Sequence, residues 1–178
     1  DKELKNSTIA ISGVGKVGSK LSKLLFERDA NLIVSNVGND AIDKLKQDKI
    51  LFTKSDIKAI FESECDIISP CALGGAINSE VKKKFKCKAI VGAANNQLDK
   101  TETAVWLKKN NIFYAPDYLV NSGGVIAISC EINKLEDTLD DQLNKISDKV
   151  LSLLNESQKS TFSTDKIIED LAWKRING

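Results

Sequence analysis

Gly13, Gly15 and Gly18, set directly after the run Ser7-Thr8-Ile9-Ala10-Ile11-Ser12, restrict what this chain can fold into more than any other stretch. A short β-branched segment feeds a G-x-G-x-x-G spacing, and Val17, Leu21, Leu24 and Leu25 then recur at helical intervals. The order is strand, tight turn, amphipathic helix. Gly13 supplies an unusual turn dihedral, Gly15 lets backbone N–H groups approach a pyrophosphate with no Cβ in the way, and Gly18 lets the helix lie close against the sheet. The helix N-terminus adds unpaired donors and a positive dipole end. A ligand-free glycine turn is the competing reading of the motif alone, and the flanking strand and helix favour the dinucleotide. Lys16 invites a role as a phosphate ligand, but the stretch lacks the G-x-x-x-x-G-K-Ser/Thr pattern of a nucleoside triphosphate loop, so a solvated lysine on the rim of the turn stands beside that role.

The rest of the chain continues the alternation. Residues 31–35 read as a second strand ending at Asn36, and residues 40–47 as a short helix. About 20 positions past the glycines, a nicotinamide-binding fold usually carries an acid that bonds the adenosine ribose. Asn36 stands there instead: an amide can still donate to and accept from a ribose, but it brings no charge to reject a 2'-phosphate. NAD is the expected cofactor, with NADP not excluded.

Residues 50–52 read as a brief apolar return and residues 54–62 as a helix capped by Ser55. Residues 66–70 form a strand stopped by Pro70, which runs into the small residues Cys71-Ala72-Leu73-Gly74-Gly75-Ala76. A helix over 79–85 and a strand over 88–92 follow, the strand ending in Ala93-Ala94-Asn95-Asn96-Gln97. The paired asparagines read either as an ordinary turn or as amides that hold a nicotinamide carboxamide at a strand's carboxyl end. A helix over 102–110 and a last strand over 112–115 lead to residues 116–125, where Asn121 or Ser122 is expected to cap a helix running toward Ile132. Asp117 reads as structural, and Tyr114 and Tyr118 as core or interface aromatics. Two helices over 137–155 and 165–176 close the chain, more than a small sheet needs, which suggests that another domain packs against them. The predicted class is α/β: a doubly wound, mostly parallel sheet, Rossmann-like, with residues 1–136 as the dinucleotide-binding core and 137–178 as extra C-terminal helices.

Composition removes several classes. Lys+Arg 26 against Asp+Glu 25 gives no field to attract nucleic acid or an anionic membrane, and no apolar run is long enough to span a bilayer. Asp1-Lys2-Glu3 does not open a signal peptide, and the lack of any methionine suggests a domain cut from a longer polypeptide. The four cysteines show no C-x-x-C pair and histidine is absent, so no metal site is expected; reduced thiols in the cytoplasm are the plain reading. With no histidine, the usual general base near neutral pH is missing too.

Residues 13–18, 66–75, 92–98 and 115–125 together resemble, in order and approximate spacing, four characteristic stretches of the glutamate/leucine/phenylalanine/valine dehydrogenases, within their C-terminal cofactor-binding half. The leucine enzymes are the nearest likeness. The resemblance implies NAD-dependent oxidative deamination of an L-amino acid to a 2-oxo acid and ammonia. It places Gly13, Gly15, Lys16, Val17, Gly18 and Asn36 on the adenosine and pyrophosphate side, with Cys71, Ala72 and Leu73 beneath them. Ala94 and Asn95 go to the nicotinamide, Asn121 between nicotinamide and substrate, and Val125 to the substrate side-chain pocket. The family's catalytic lysines and aspartate belong to an N-terminal half outside this sequence, so no residue here is assigned as catalytic, and a homo-oligomer is implied at full length. The alternative is a catalytically inactive dinucleotide-binding or regulatory module of the same fold, which Asn36 favours while the glycines and asparagines favour the enzyme.

Overall fold

The structure is a computed structural model and describes residues 4–178. The reading of Asp1-Lys2-Glu3 lies outside the described residues. Six strands form one sheet: β1 (Thr8–Ser12), β2 (Asn31–Ser35), β3 (Thr53–Lys54), β4 (Ile67–Pro70), β5 (Ala89–Ile90) and β6 (Phe113–Tyr114). They lie in the order β3-β2-β1-β4-β5-β6, and every pairing is parallel. The chain winds outward from β1 to β3, then returns to the centre and winds outward again from β4 to β6. The reversal between β1 and β4 leaves a crevice above their carboxyl ends, where open α/β sheets bind ligands.

Alternation along β1 sends Ile9 and Ile11 to one face and Ala10 to the other. The first face packs Leu25 of helix α1 (Lys16–Phe26) with Ile42 and Leu45 of helix α2 (Asp40–Gln47); the second packs Ile68, Ile90 and Tyr114 with Leu107 of helix α3 (Thr101–Lys109). Burial on both faces is why the central strands carry nearly continuous apolar residues. Four more helices follow: α4 (Asp117–Val120), α5 (Gly123–Asn133), α6 (Leu139–Lys159) and α7 (Thr164–Asn177). A smaller cluster of Leu119, Leu153 and Ile167 joins α4, α6 and α7 to Phe113 at the sheet edge.

Several expectations are corrected. Residues 54–62 and 79–85 are not helices, and contain only short 3-10 turns at Ala59–Glu62 and Lys82–Lys84. Asx turns intervene: Asp56 Oδ1 accepts the Lys58 N–H at 2.8 Å, and Asn78 Oδ1 accepts those of Glu80 and Val81 at 2.9 and 3.2 Å. The Lys58 and Ala59 N–H groups hold the Asp56 carboxyl below its usual value, and Ser55 is no cap: its Oγ donates to the Asp56 carbonyl at 3.2 Å. The apolar return at 50–52 precedes a strand at Thr53–Lys54, and the strands expected at 88–92 and 112–115 shrink to two residues each. On α1 the buried face is Gly18, Ser22 and Leu25, while Val17 and Leu24 are exposed. Close approach at Gly18 turns the helix that way, and buried Ser22 satisfies its hydroxyl on the Gly18 carbonyl at 2.7 Å. Neither Asn121 nor Ser122 caps α5 with its side chain, because Asn121 is engaged elsewhere and Ser122 Oγ donates to the Leu119 carbonyl at 2.8 Å.

Candidate dinucleotide and substrate site

Four loops meet at the carboxyl ends of the central strands, and the glycine turn is the innermost. Gly13 sits at φ +95°, and its N–H donates to the Ser35 carbonyl at 2.8 Å. A Cβ on Gly13 would lie 2.6 Å from Ala72 Cβ, and one on Gly18 would lie 2.0 Å from the Gly13 carbonyl oxygen and 3.3 Å from Cys71 Cβ. Those two glycines therefore let the turn, the first helix and the β4 loop touch. Gly15 differs: a Cβ there would meet nothing within 4 Å. It occupies the N-cap position of α1 with no side-chain cap, beneath open space, and the leading N–H groups of the helix lack intrahelical partners. Lys16 and Val17 are exposed beside it, and neither is drawn into the core.

Asn36 stands at the end of β2 and is committed to backbone. Its Oδ1 accepts the Val14 N–H at 3.1 Å and its Nδ2 donates to the Gly38 carbonyl at 3.0 Å. The amide thereby braces the glycine turn while remaining partly exposed. Across the switch point, the Cys71 N–H donates to the Ser12 carbonyl at 2.7 Å and ties the β4 loop to β1. Cys71 is half-buried, and Ala72 and Leu73 are exposed.

The β5 loop forms the next wall. Ala94 is buried and its N–H donates to the Pro70 carbonyl at 2.9 Å, whereas Asn95 beside it is exposed. Buried Gln97 props this loop from inside, with Nε2 donating to the carbonyls of Gly92 and Ala94 at 2.7 and 2.9 Å. The sequence offered no sign of that burial, since glutamine is ordinarily a surface residue. Asn121 Nδ2 donates to Asn95 Oδ1 at 2.6 Å, so the structure brings these two candidates into direct contact across 26 residues of chain. Helix α4, which the sequence reading missed, places Asn121 there; its only local sign was Pro116-Asp117, a proline and acid at a helix start. Val125 is exposed in the first turn of α5.

Two hollows of about 370 and 490 Å³ lie elsewhere, one between α3, β6 and the last two helices and one between α4, α6 and α7; neither is lined by the glycine turn or the asparagines. The site is singled out by strand topology and side-chain chemistry, because an open sheet presents a crevice and not a closed cavity. Tyr114 is a core residue whose hydroxyl burial pushes far above its usual range, aided by the Asp117 charge. Tyr118 is exposed at the surface and pushed up to about 12, first by burial of its hydroxyl region and then by nearby Asp165. Neither phenol exchanges a proton near neutral pH. All four cysteines are free thiols, and burial raises Cys65 to about 11 and Cys87 to about 12, which makes both poor nucleophiles. Among the described residues no helix is long and apolar enough to cross a membrane.

The family model for Glutamate/Leucine/Phenylalanine/Valine dehydrogenase matches residues 33–165. Phenylalanine dehydrogenase of Thermoactinomyces intermedius is 36% identical over 178 residues, which is 98% of this chain and 48% of that protein. Leucine dehydrogenase of the same organism is 34% identical over 178 residues, 99% of this chain and 48% of that protein. The crystal structure of L-tryptophan dehydrogenase from Nostoc punctiforme superposes with a TM-score of 0.94 at 33% identity, covering 99% of this chain and 53% of that one. The chain thus spans about half the length of the curated relatives it matches, and their identities are too even to single out the leucine enzymes. With the family model matched over most of its length, the chain belongs to the glutamate/leucine/phenylalanine/valine dehydrogenase family.

Proposed function

We propose that this chain is the cofactor-binding half of an amino acid dehydrogenase that uses NAD and water to convert an apolar, leucine-like L-amino acid to a 2-oxo acid and ammonia. The observation that carries the reading is the glycine turn at the sheet's switch point, where Gly15 leaves open space in front of the unpaired amides that begin α1. The pyrophosphate sits over residues 13–18 with Lys16 and Val17 on the rim, Asn36 near the adenosine ribose, and Cys71, Ala72 and Leu73 beneath. Ala94, Asn95 and Asn121 take the nicotinamide end, and Asn121 and Val125 face the substrate.

The asparagine pair supports that division. When one asparagine donates to the other, one whole NH2 group and one whole carbonyl oxygen of the pair lie outside that bond, whichever way the two amides are turned. A primary carboxamide such as that of nicotinamide presents the complementary acceptor and donor. The dinucleotide, when bound, supplies the hydride acceptor; this chain's residues bind it and orient it.

Residues 1–136 form the dinucleotide unit, and 137–178 pack both on it and on a catalytic half outside this chain. Support comes from apolar side chains left uncovered in that C-terminal segment: Leu151, Phe162, Leu171, Trp173 and Ile176 are all exposed. The full protein assembles as a homo-oligomer and works in the cytoplasm, a reducing compartment that suits four free thiols. Deamination needs a group to take a proton and activate water, held with the substrate near the hydride acceptor. The catalytic half provides those groups. The chain alone, incubated with NAD and a panel of branched and aromatic L-amino acids, is therefore expected to bind cofactor and show no rise in reduced-cofactor absorbance until that half is added. Turnover by the chain alone would overturn the division of labour, and failure to bind NADH would overturn the reading as a whole.

Cofactor preference tests the adenosine end. Asn36→Asp keeps an acceptor for the Val14 N–H, gives up the bond to the Gly38 carbonyl, and turns a second, charged oxygen away from that carbonyl to accept from a ribose hydroxyl and oppose a 2'-phosphate. Wild type is expected to prefer NADH modestly, and the variant to raise the NADH:NADPH affinity ratio by about tenfold, the equivalent of about 1.4 kcal/mol. Equal ratios for the two proteins would show that residue 36 does not reach the ribose.

A further inference from the structure

We propose that Asp117 is a positioning residue that holds the Asn95–Asn121 pair in register, and so sets how strongly the chain grips the nicotinamide end without touching it. The inference rests on the dinucleotide reading above and assigns a task to a residue that the sequence suggests is merely structural. Asp117 begins α4, and its side chain and main chain reach the two asparagine-bearing segments separately. Asp117 Oδ2 accepts the N–H of Asn96, the residue after Asn95, at 2.8 Å, and its own carbonyl accepts the N–H of Asn121 at 2.9 Å. One residue thus spans both halves of the pair.

The segment it restrains needs restraint. Asn96 sits at φ +51°, a left-handed conformation that asparagine tolerates but does not strongly prefer, and its carbonyl is bound on the far side by the Gly75 N–H at 2.7 Å. Without the carboxylate, the Asn96 N–H loses its partner and residues 95 and 96 can relax away from α4. The carboxylate is itself held: Tyr114, buried at the end of β6, donates its hydroxyl to Asp117 Oδ1 at 3.0 Å. Because burial keeps that phenol protonated, the bond persists across the neutral range.

An acid suits the task because two carboxylate oxygens accept from two directions at once, each in a charge-assisted bond. Each oxygen thus accepts from a protein donor on a different segment. Among the described residues no lysine or arginine is paired with it, so its charge serves the two donors and not a salt bridge.

The test compares NADH with ADP-ribose, which lacks the nicotinamide ring, by calorimetric titration of the whole chain. Asp117→Ala is expected to weaken NADH about tenfold, the loss of roughly one charge-assisted bond, and to leave ADP-ribose within about twofold. The fluorescence gain of NADH on binding should fall in parallel, which a general loss of stability would not produce. Asp117→Asn, which can still accept from Asn96 with one atom and face Tyr114 with the other, should recover most of the affinity. Tyr114→Phe removes one bond and leaves the Asn96 bond in place; its expected selective loss of about threefold keeps the proposal testable if the alanine variant does not fold. Equal loss of both ligands, or no loss of either, would overturn the positioning role. Wild type that binds ADP-ribose and NADH equally would do the same, whereas wild type that binds neither would instead overturn the dinucleotide reading.

Discussion

Gly15→Val is expected to abolish NADH binding while leaving the fold intact. At φ −68° and ψ −153° the residue is in extended backbone, outside the left-handed region that favours glycine, and a Cβ there meets nothing within 4 Å. The cost to stability is the poorer N-cap, about 1 kcal/mol, which lowers Tm by about 2–4 °C in a chain of this size. The branched side chain nonetheless fills the space through which an anion would approach the first amides of α1, so affinity should fall by at least about a hundredfold, or 2.7 kcal/mol. Calorimetric titration and a thermal melt on the same sample separate the two effects. Undiminished binding by the variant would move the pyrophosphate off this turn.

Gly18→Ala should do the reverse, damaging the fold first. Its new methyl would lie 2.0 Å from the Gly13 carbonyl oxygen, and that oxygen has little room to yield. The Gly13 N–H is tied to Ser35, its φ is +95°, and Ala72 fills the space where a Gly13 Cβ would stand. Relief requires α1 to move off the sheet, uncovering Leu25 and the cluster around Ile9 and Ile11. A loss of about 3 kcal/mol is expected, near the upper end for overpacking, with Tm lower by about 6–12 °C. A melting temperature unchanged from wild type would mean that the close approach of helix and turn is not what Gly18 is for. Two glycines three residues apart in one motif thus serve different ends, one leaving room for a ligand and the other allowing helix and turn to meet.

The spacing of the glycines, with room expected at Gly15 and close approach at Gly18, was legible in the sequence; which atoms make Gly13 and Gly18 tight, Ala72 and the Gly13 carbonyl, was not. The same division runs through the molecule. Strands β1 and β2 and helix α2 fall where β-branched runs and apolar periodicity place them, and the alternation of strand and helix is enough to imply a parallel, doubly wound sheet. Those signals are local, carried by sterics and side-chain period within about ten residues. They failed at 54–62 and 79–85, where apolar spacing mimicked a helix but Asp56 and Asn78 turned the backbone onto their side chains.

The joining of Asn121 to Asn95, of Asn36 to the Val14 N–H and of Asp117 to the Asn96 N–H was decided only by the tertiary structure. Each bond links segments 21 to 26 residues apart, and each forms because parallel pairing sets the carboxyl ends of successive strands side by side. The sequence alone therefore offered the amides as candidates and read Asp117 as structural. Their partners followed from strand order and register, since a side-chain hydrogen bond extends only about 3 Å and no pattern along the chain records which donor will lie within that reach.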